Sequence, residues 1–241
     1  MAYRTDPRFA QARVADGAMD EGLRSFMLGV YNYMGLGLAI TGLVAFVVAS
    51  SPALYMPIFT TPLKWVVMLA PLGFVMFLGA RIQAMSVSAA QITFWLFAAV
   101  MGVSLASIFL VFTGESIARV FFITAATFGG ISLYGYTTKR DLSGMGSFLM
   151  MGLIGIVIAS LVNIFLASSA LQFAVSVIGV LVFTGLTAWD TQRLKEEYLG
   201  SFQYAGGDLA AKGAIMGALS LYLNFINLFM MLLQLFGNQR N

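Results

Sequence analysis

One carboxylate stands out by its setting. Asp190, in TGLTAWDTQRLKEEY, follows a run from Leu142 to Trp189 that holds no charged side chain. At helical spacing Thr187, Asp190 and Thr191 share one face. Two chemistries fit such a group. It can lie at a membrane–water boundary, solvated or paired with Arg193, because interfacial charges reach water at little cost. It can instead be partly buried at the mouth of a polar path, with Arg81 as its cationic partner. Burial favours the neutral acid and a nearby guanidinium favours the carboxylate, so the residues leave both open.

A second set of polar groups lies on the last apolar run. No charge occurs from Gly213 to Gln239, a stretch longer than the roughly 20 residues that cross a bilayer as a helix. Within it Gly213, Gly217, Ser220, Asn224, Asn227 and Gln234 recur at steps of four, three, four, three and seven, the spacing of one helix face. Amides in hydrocarbon are costly without partners, so this face belongs inside a bundle. It can serve as packing, with small residues for close approach and amides that bond across helices. It can also line a polar path, and the two roles are compatible.

Other chemistry is excluded by missing parts. The chain has no histidine and no cysteine. A serine–histidine dyad, a zinc site and a thiolate nucleophile are therefore ruled out. Lys64 and Lys212 fall at the borders of apolar runs, not mid-helix where a retinal-type Schiff base would sit. An intramembrane aspartyl protease needs two acids in the membrane; only Asp190 qualifies, since the GGD at 206–208 falls in a loop. The chain reads as neither an enzyme nor a holder of a resident metal or cofactor. Its charges are too few for a nucleic-acid footprint.

The elements that carry these residues follow from composition. The chain is 60% hydrophobic and 10% charged, with a mean hydropathy of +0.89, whereas soluble domains carry about 25% charged residues. An all-α, polytopic membrane protein is expected, with a polar segment at 1–26 and a transmembrane domain at 27–241. Seven apolar spans follow at 27–49, 64–80, 88–112, 118–138, 145–166, 170–189 and 213–236, with Lys64 and Arg119 at the edges of the second and fourth. Pro71 predicts a kink in the second. Ala167, Ser168 and Ser169 divide the fifth from the sixth. In the leading segment TDPRFAQARVADGA reads as a short interfacial helix, capped by Asp6 with Pro7 in its first turn. The loop DTQRLKEEYLGSFQYAGGD extends the sixth helix, breaks at Gly206 and Gly207, and offers Asp208 as cap for the last helix.

Four stretches carry a family likeness: EGLRSFMLGVYNYMGLGLAITG, ARIQAMS, TAWDTQRLKEEY and LSLYLNFINLFMMLLQLFG. Together they resemble the Bax inhibitor-1 family, in its proteobacterial branch. The resemblance implies seven helices, with the C-terminal one central and wrapped by the other six. It also implies a pH-sensitive calcium leak, with two aspartates sharing a site near the cytoplasmic side and an arginine close by. By this likeness the first aspartate is Asp190 and the arginine is Arg81. The second falls at Asn224, where the family pattern LYLDFINLF becomes LYLNFINLF. An arginine common in the last helix of the family is replaced by Gln234. An Asp–Asn pair cannot share a proton as two carboxylates do.

Two functions from different classes are therefore expected. One is a calcium-leak channel gated at Asp190, Asn224 and Arg81, with calcium only in transit. The alternative is a non-transporting regulator of membrane-protein quality control that binds a membrane-anchored ATP-dependent protease through residues 1–26. Either would be a multi-pass protein of the bacterial inner membrane. With the N-terminus cytoplasmic, Arg4, Arg8, Arg13, Arg24, Arg81, Lys139, Arg140, Arg193, Lys195 and Lys212 lie inside, against Lys64, Arg119 and Arg240 outside. That is the positive-inside asymmetry. Reporter fusions should therefore give a cytoplasmic signal at the N-terminus and a periplasmic one at the C-terminus; a cytoplasmic C-terminal signal would mean an even number of spans.

Overall fold

The computed structural model describes residues 7–204 and 206–240, with side chains from Asp20 onward. The cap expected at Asp6 lies outside the described residues. Eight helices follow in order: α1 Pro7–Ser50, α2 Pro52–Thr60, α3 Leu63–Arg81, α4 Val87–Val111, α5 Gly114–Thr137, α6 Ser143–Leu166, α7 Ser169–Glu197 and α8 Gly207–Phe236. Among the described residues seven of the eight α-helices are long and apolar enough to cross a bilayer, each covering most of one expected span; α1 runs on unbroken from Pro7, so the segment read as a separate short helix is the start of the first membrane helix. The eighth, α2, was not anticipated. Pro52 starts it at a position where a missing N–H costs nothing, and Pro57 lies inside it.

Local chemistry sets the boundaries. Ser86 and Thr113 cap α4 and α5 by accepting from the N–H groups of Ala89 and Ser116, at 3.2 and 3.3 Å. The break between α6 and α7 falls at the expected Ala167, which adopts a left-handed φ of 47° that ends a helix. Asn163 accepts from the Ser168 N–H at 3.0 Å, and Ser168 then caps α7 by accepting from Leu171 at 3.3 Å. The last helix departs from expectation. Its cap is Gly206, and Asp208 sits within the first turn instead. There its charge still opposes the positive end of the helix dipole.

Burial is concentrated on α8. Two-thirds of its apolar window (67%) is buried, against 11–39% for the other spans. It packs broadly against α1, α4, α5 and α7 and lightly against α3, while α6 packs mainly on α7. The outer face of α6 presents Phe148, Ile154, Leu161 and Phe165 outward, a surface suited to lipid. Tyr222 of α8 is completely buried and meets Phe94 and Phe97 edge-on, at 6.2 and 5.2 Å between centroids. Its hydroxyl lies 2.6 Å from that of Thr41, which donates to the Ala98 carbonyl at 2.8 Å. A hydroxyl in hydrocarbon thus gains partners from two neighbouring helices.

Beyond α8 the chain turns back on the α4–α5 corner. Arg240 N–H donates to the Val111 carbonyl at 2.8 Å, Thr113 N–H to Asn238 at 3.0 Å, and Asn238 N–H to the Ser116 hydroxyl at 2.9 Å. At the opposite, lysine- and arginine-rich end, Lys212 donates to the Gln83 carbonyl at 3.1 Å.

Close helix crossings use glycine where backbone meets backbone. A Cβ at Gly135 would strike the carbonyl of Ala188 on α7, whereas Gly130, further back on α5, faces open space. Gly135→Ala should therefore cost about 1–3 kcal/mol of stability, the range for overpacking, and Gly130→Ala close to nothing. Thermal unfolding of the two variants in detergent checks this.

Candidate functional site

The α7–α8 seam is antiparallel, and the polar face of α8 meets α7 along it. Leu194 fills the space over Gly217, with a side-chain carbon 2.6 Å from where a Cβ would be, and Phe202 covers Gly213. Between these contacts and the middle of the bundle lies the one acid singled out by the sequence. Asp190 and Asn224 are each only 6% exposed. Asn224 Nδ2 donates to Asp190 Oδ2 at 2.7 Å. Arg193, one turn on along α7, places a guanidinium nitrogen 2.8 Å from Asp190 Oδ1. The same nitrogen reaches the Ser220 hydroxyl at 3.4 Å.

The carboxylate therefore has both oxygens engaged, one by a cation and one by a neutral amide. Arg193 is held from two further sides. Its guanidinium lies 4.8 Å from the centre of the Trp189 ring, a cation–π distance. Its Nε lies 3.5 Å from Glu197 without hydrogen-bond geometry and is the buried donor left unpaired. Arg193 thus stands between two acids, tightly bound to one and loosely to the other.

The expected third member is elsewhere. Arg81 is exposed at the end of α3, and the ion pair of Asp190 is made by Arg193 instead. The physical reason is spacing: residues three apart on one helix are neighbours, while α3 touches α8 only lightly. Counted along the chain, Asn224 falls roughly 16 Å into the expected last span and Asp190 at the edge of the sixth, yet the two meet because α7 continues past Asp190 to Glu197 and α8 begins at Gly207, before residue 213.

Other members of the stripe take separate roles. Asn227 Nδ2 donates to the Leu223 carbonyl of its own helix at 2.8 Å. Gln234 accepts from the Ser176 hydroxyl at 2.7 Å, beside a cavity of about 240 Å³ that also touches Asn163 and Gln172. Between Asn227 and Gln234, Met231 packs over Gly179 and closes the seam.

Two polar groupings near Asp190 were not singled out by the sequence. Gln192 clamps the turn before α6, accepting from the Leu142 N–H and donating to the Arg140 carbonyl, both at 2.8 Å. A hydroxyl chain joins three helices: Tyr31 to Ser132 at 2.6 Å, Ser132 to Thr191 at 2.9 Å, and Thr191 to the Thr187 carbonyl at 2.8 Å. Thr191 was visible as a polar neighbour of Asp190; its partners on α1 and α5 carried no pattern.

The family described as inhibitor of apoptosis-promoting Bax1 matches residues 23–241. The chain belongs to the Bax inhibitor-1 family. It is 50% identical to the inner membrane protein YbhL of Escherichia coli, over 91% of this chain and 94% of that one. It is also 50% identical to an uncharacterised Rickettsia prowazekii protein over 92% and 93% of the two chains. An uncharacterised membrane protein of Streptococcus pyogenes is 33% identical over 90% and 94%. This Bax inhibitor-1 protein carries an amide at position 224, and the geometry shows what that amide does. A carboxyl at position 224 could donate to Asp190 only when protonated. Asn224 donates without taking up a proton, and it does so to Asp190 Oδ2.

The ion pair makes a stability prediction. Removing one partner of a buried pair costs about 3–5 kcal/mol; the Arg193 side chain is 35% exposed, so Arg193→Gln should cost less, about 1–3 kcal/mol. Combining it with Asp190→Asn should destabilise by less than the sum of the single changes. A double-mutant cycle in detergent measures that coupling, and strict additivity would mean that the pair contributes nothing.

Proposed function

We propose that this chain is a passive calcium pathway of the bacterial inner membrane, held shut at its cytoplasmic end by Asp190, Arg193 and Asn224. One observation carries the reading: a carboxylate buried in a transmembrane seam with both oxygens occupied. Acids within membrane spans are costly, and they concentrate where ions or protons pass. A hard cation seeks clustered oxygens. Here the acid is neutralised by Arg193, which leaves a salt bridge in the cation's way. Opening then requires Arg193 to leave Asp190, and Glu197 lies within its reach. Arg81, exposed at the same end, adds positive potential at the mouth. The orientation rests on the lysine and arginine asymmetry, and the choice of membrane on the likeness to an inner membrane protein of E. coli.

The test is calcium-dye flux in proteoliposomes at a series of pH values. Asp190→Asn should raise flux by removing the anion that holds Arg193. Asn224→Asp places two carboxylates within hydrogen-bond distance, so they titrate as a coupled pair and flux should depend more steeply on pH than in the natural chain. Identical flux from all three proteins at every pH would overturn the gate. The regulator of a membrane-anchored protease would then be the better reading.

A further inference from the structure

A second cavity lies apart from the α7–α8 seam. It occupies about 900 Å³ between α1 and α5, at the upper end of the range for small-molecule sites. The two helices both pack on α8 but share no packed seam of their own. Among the described residues a single side-chain hydrogen bond joins them, Tyr31 to Ser132. That bond continues through Ser132 to Thr191 and the Thr187 carbonyl, so the polar floor of the cleft is fixed by the scaffold.

The lining changes character along its length. Deeper in, Met34 and Phe128 make it apolar, and Leu28 and Leu133, half-exposed or more, form its lips. Toward the end where α1 enters, it is bordered by Asp20, Arg24 and Tyr136. Lys195 joins them, with its ammonium 3.0 Å from the Tyr136 carbonyl and 5.4 Å from the centre of the Tyr136 ring. The lining itself holds one cation and one acid, Arg24 and Asp20, and Lys195 adds a second cation beside Tyr136. An apolar slot open to the bilayer with a cationic rim at the basic end matches one class of occupant: an acyl chain held in the slot with an anionic headgroup at the rim.

We propose that the α1–α5 cleft is a binding site for an anionic phospholipid of the leaflet that meets the basic end, with Arg24 and Lys195 holding its phosphate. The site is separate from the ion path. It adjoins that path through Thr191, the residue after Asp190.

Native mass spectrometry of the full chain released from detergent tests this, with dioleoyl phosphatidylglycerol or dioleoyl phosphatidylcholine added. The natural chain should retain phosphatidylglycerol at least about fivefold better than phosphatidylcholine, the preference expected of one basic residue at a membrane surface. Position 129 lines the cleft and has open space around its Cα. Gly129→Leu should therefore fill the slot and abolish retention of phosphatidylglycerol. Gly130→Leu, on the same helix, also in open space and outside the lining, should not. Arg24→Gln should erase the headgroup preference, and it reads the rim independently should Gly129→Leu fail to fold. Equal retention of both lipids by the natural chain, retention of neither, or retention untouched by Gly129→Leu would each overturn the assignment.

Discussion

A polar group inside a bilayer has no water to fall back on, and this molecule is organised by where its few polar side chains find partners. Each buried hydroxyl or amide that bridges two helices fixes how those helices lie. Thr41 and Tyr222 bind α1 to α8, and Thr41 reaches α4 as well. Tyr31, Ser132 and Thr191 bind α1, α5 and α7. Asn224 and Asp190 bind α8 to α7. The apolar surface that fills the gaps is abundant and largely interchangeable with lipid, so it discriminates little between one packing and another. Directional bonds and glycine crossings such as Gly135 against Ala188 supply the specificity that hydrophobicity lacks in this solvent.

How far these contacts could be read in advance depends on their range. Span limits follow charge and length, so the seven membrane helices and even the narrow break at Ala167 were legible. The reason is local: a left-handed residue and a serine cap act over a few positions. The short helix after Ser51 was missed because the stretch carries no amphipathic period and two prolines within a few residues. Asp208 was read as a cap when Gly206 takes that place, a shift of the size that helix ends commonly show. The pairing of Asp190 with Asn224 was carried by family likeness, since chain counting put them at different depths. The choice between Arg193 and Arg81 turned on whether α3 approaches α7 and α8, which no local signal encodes. The cleft between α1 and α5 left no trace in the sequence, because it arises from two helices that diverge and not from any residue type.

The amide at position 224 separates structure from regulation. In geometry it maintains the contact between α7 and α8 that the family pattern implies for two acids. In chemistry it removes a titratable group from that contact. A chain can therefore keep the architecture of a proton-dependent latch while losing its dependence on protons, provided the substituted group still donates. Asn224 does so with its nitrogen 2.7 Å from Asp190.

The tail beyond α8 has a mechanical consequence. Backbone bonds tie residues 238 and 240 to the α4–α5 corner, whereas the other end of the helix is held by side-chain packing and by Lys212. A rod clamped at one end swings more readily than it slides. With a rise of 1.5 Å per residue, α8 is about 45 Å long, so a swing of about 5° displaces its free end by about 4 Å. Asn224 lies about 18 Å from the clamp and would move about 1.6 Å in the same swing. Were α8 to swing about that end, a small displacement among the charged residues at one membrane surface would be enough to part a single hydrogen bond inside the bundle.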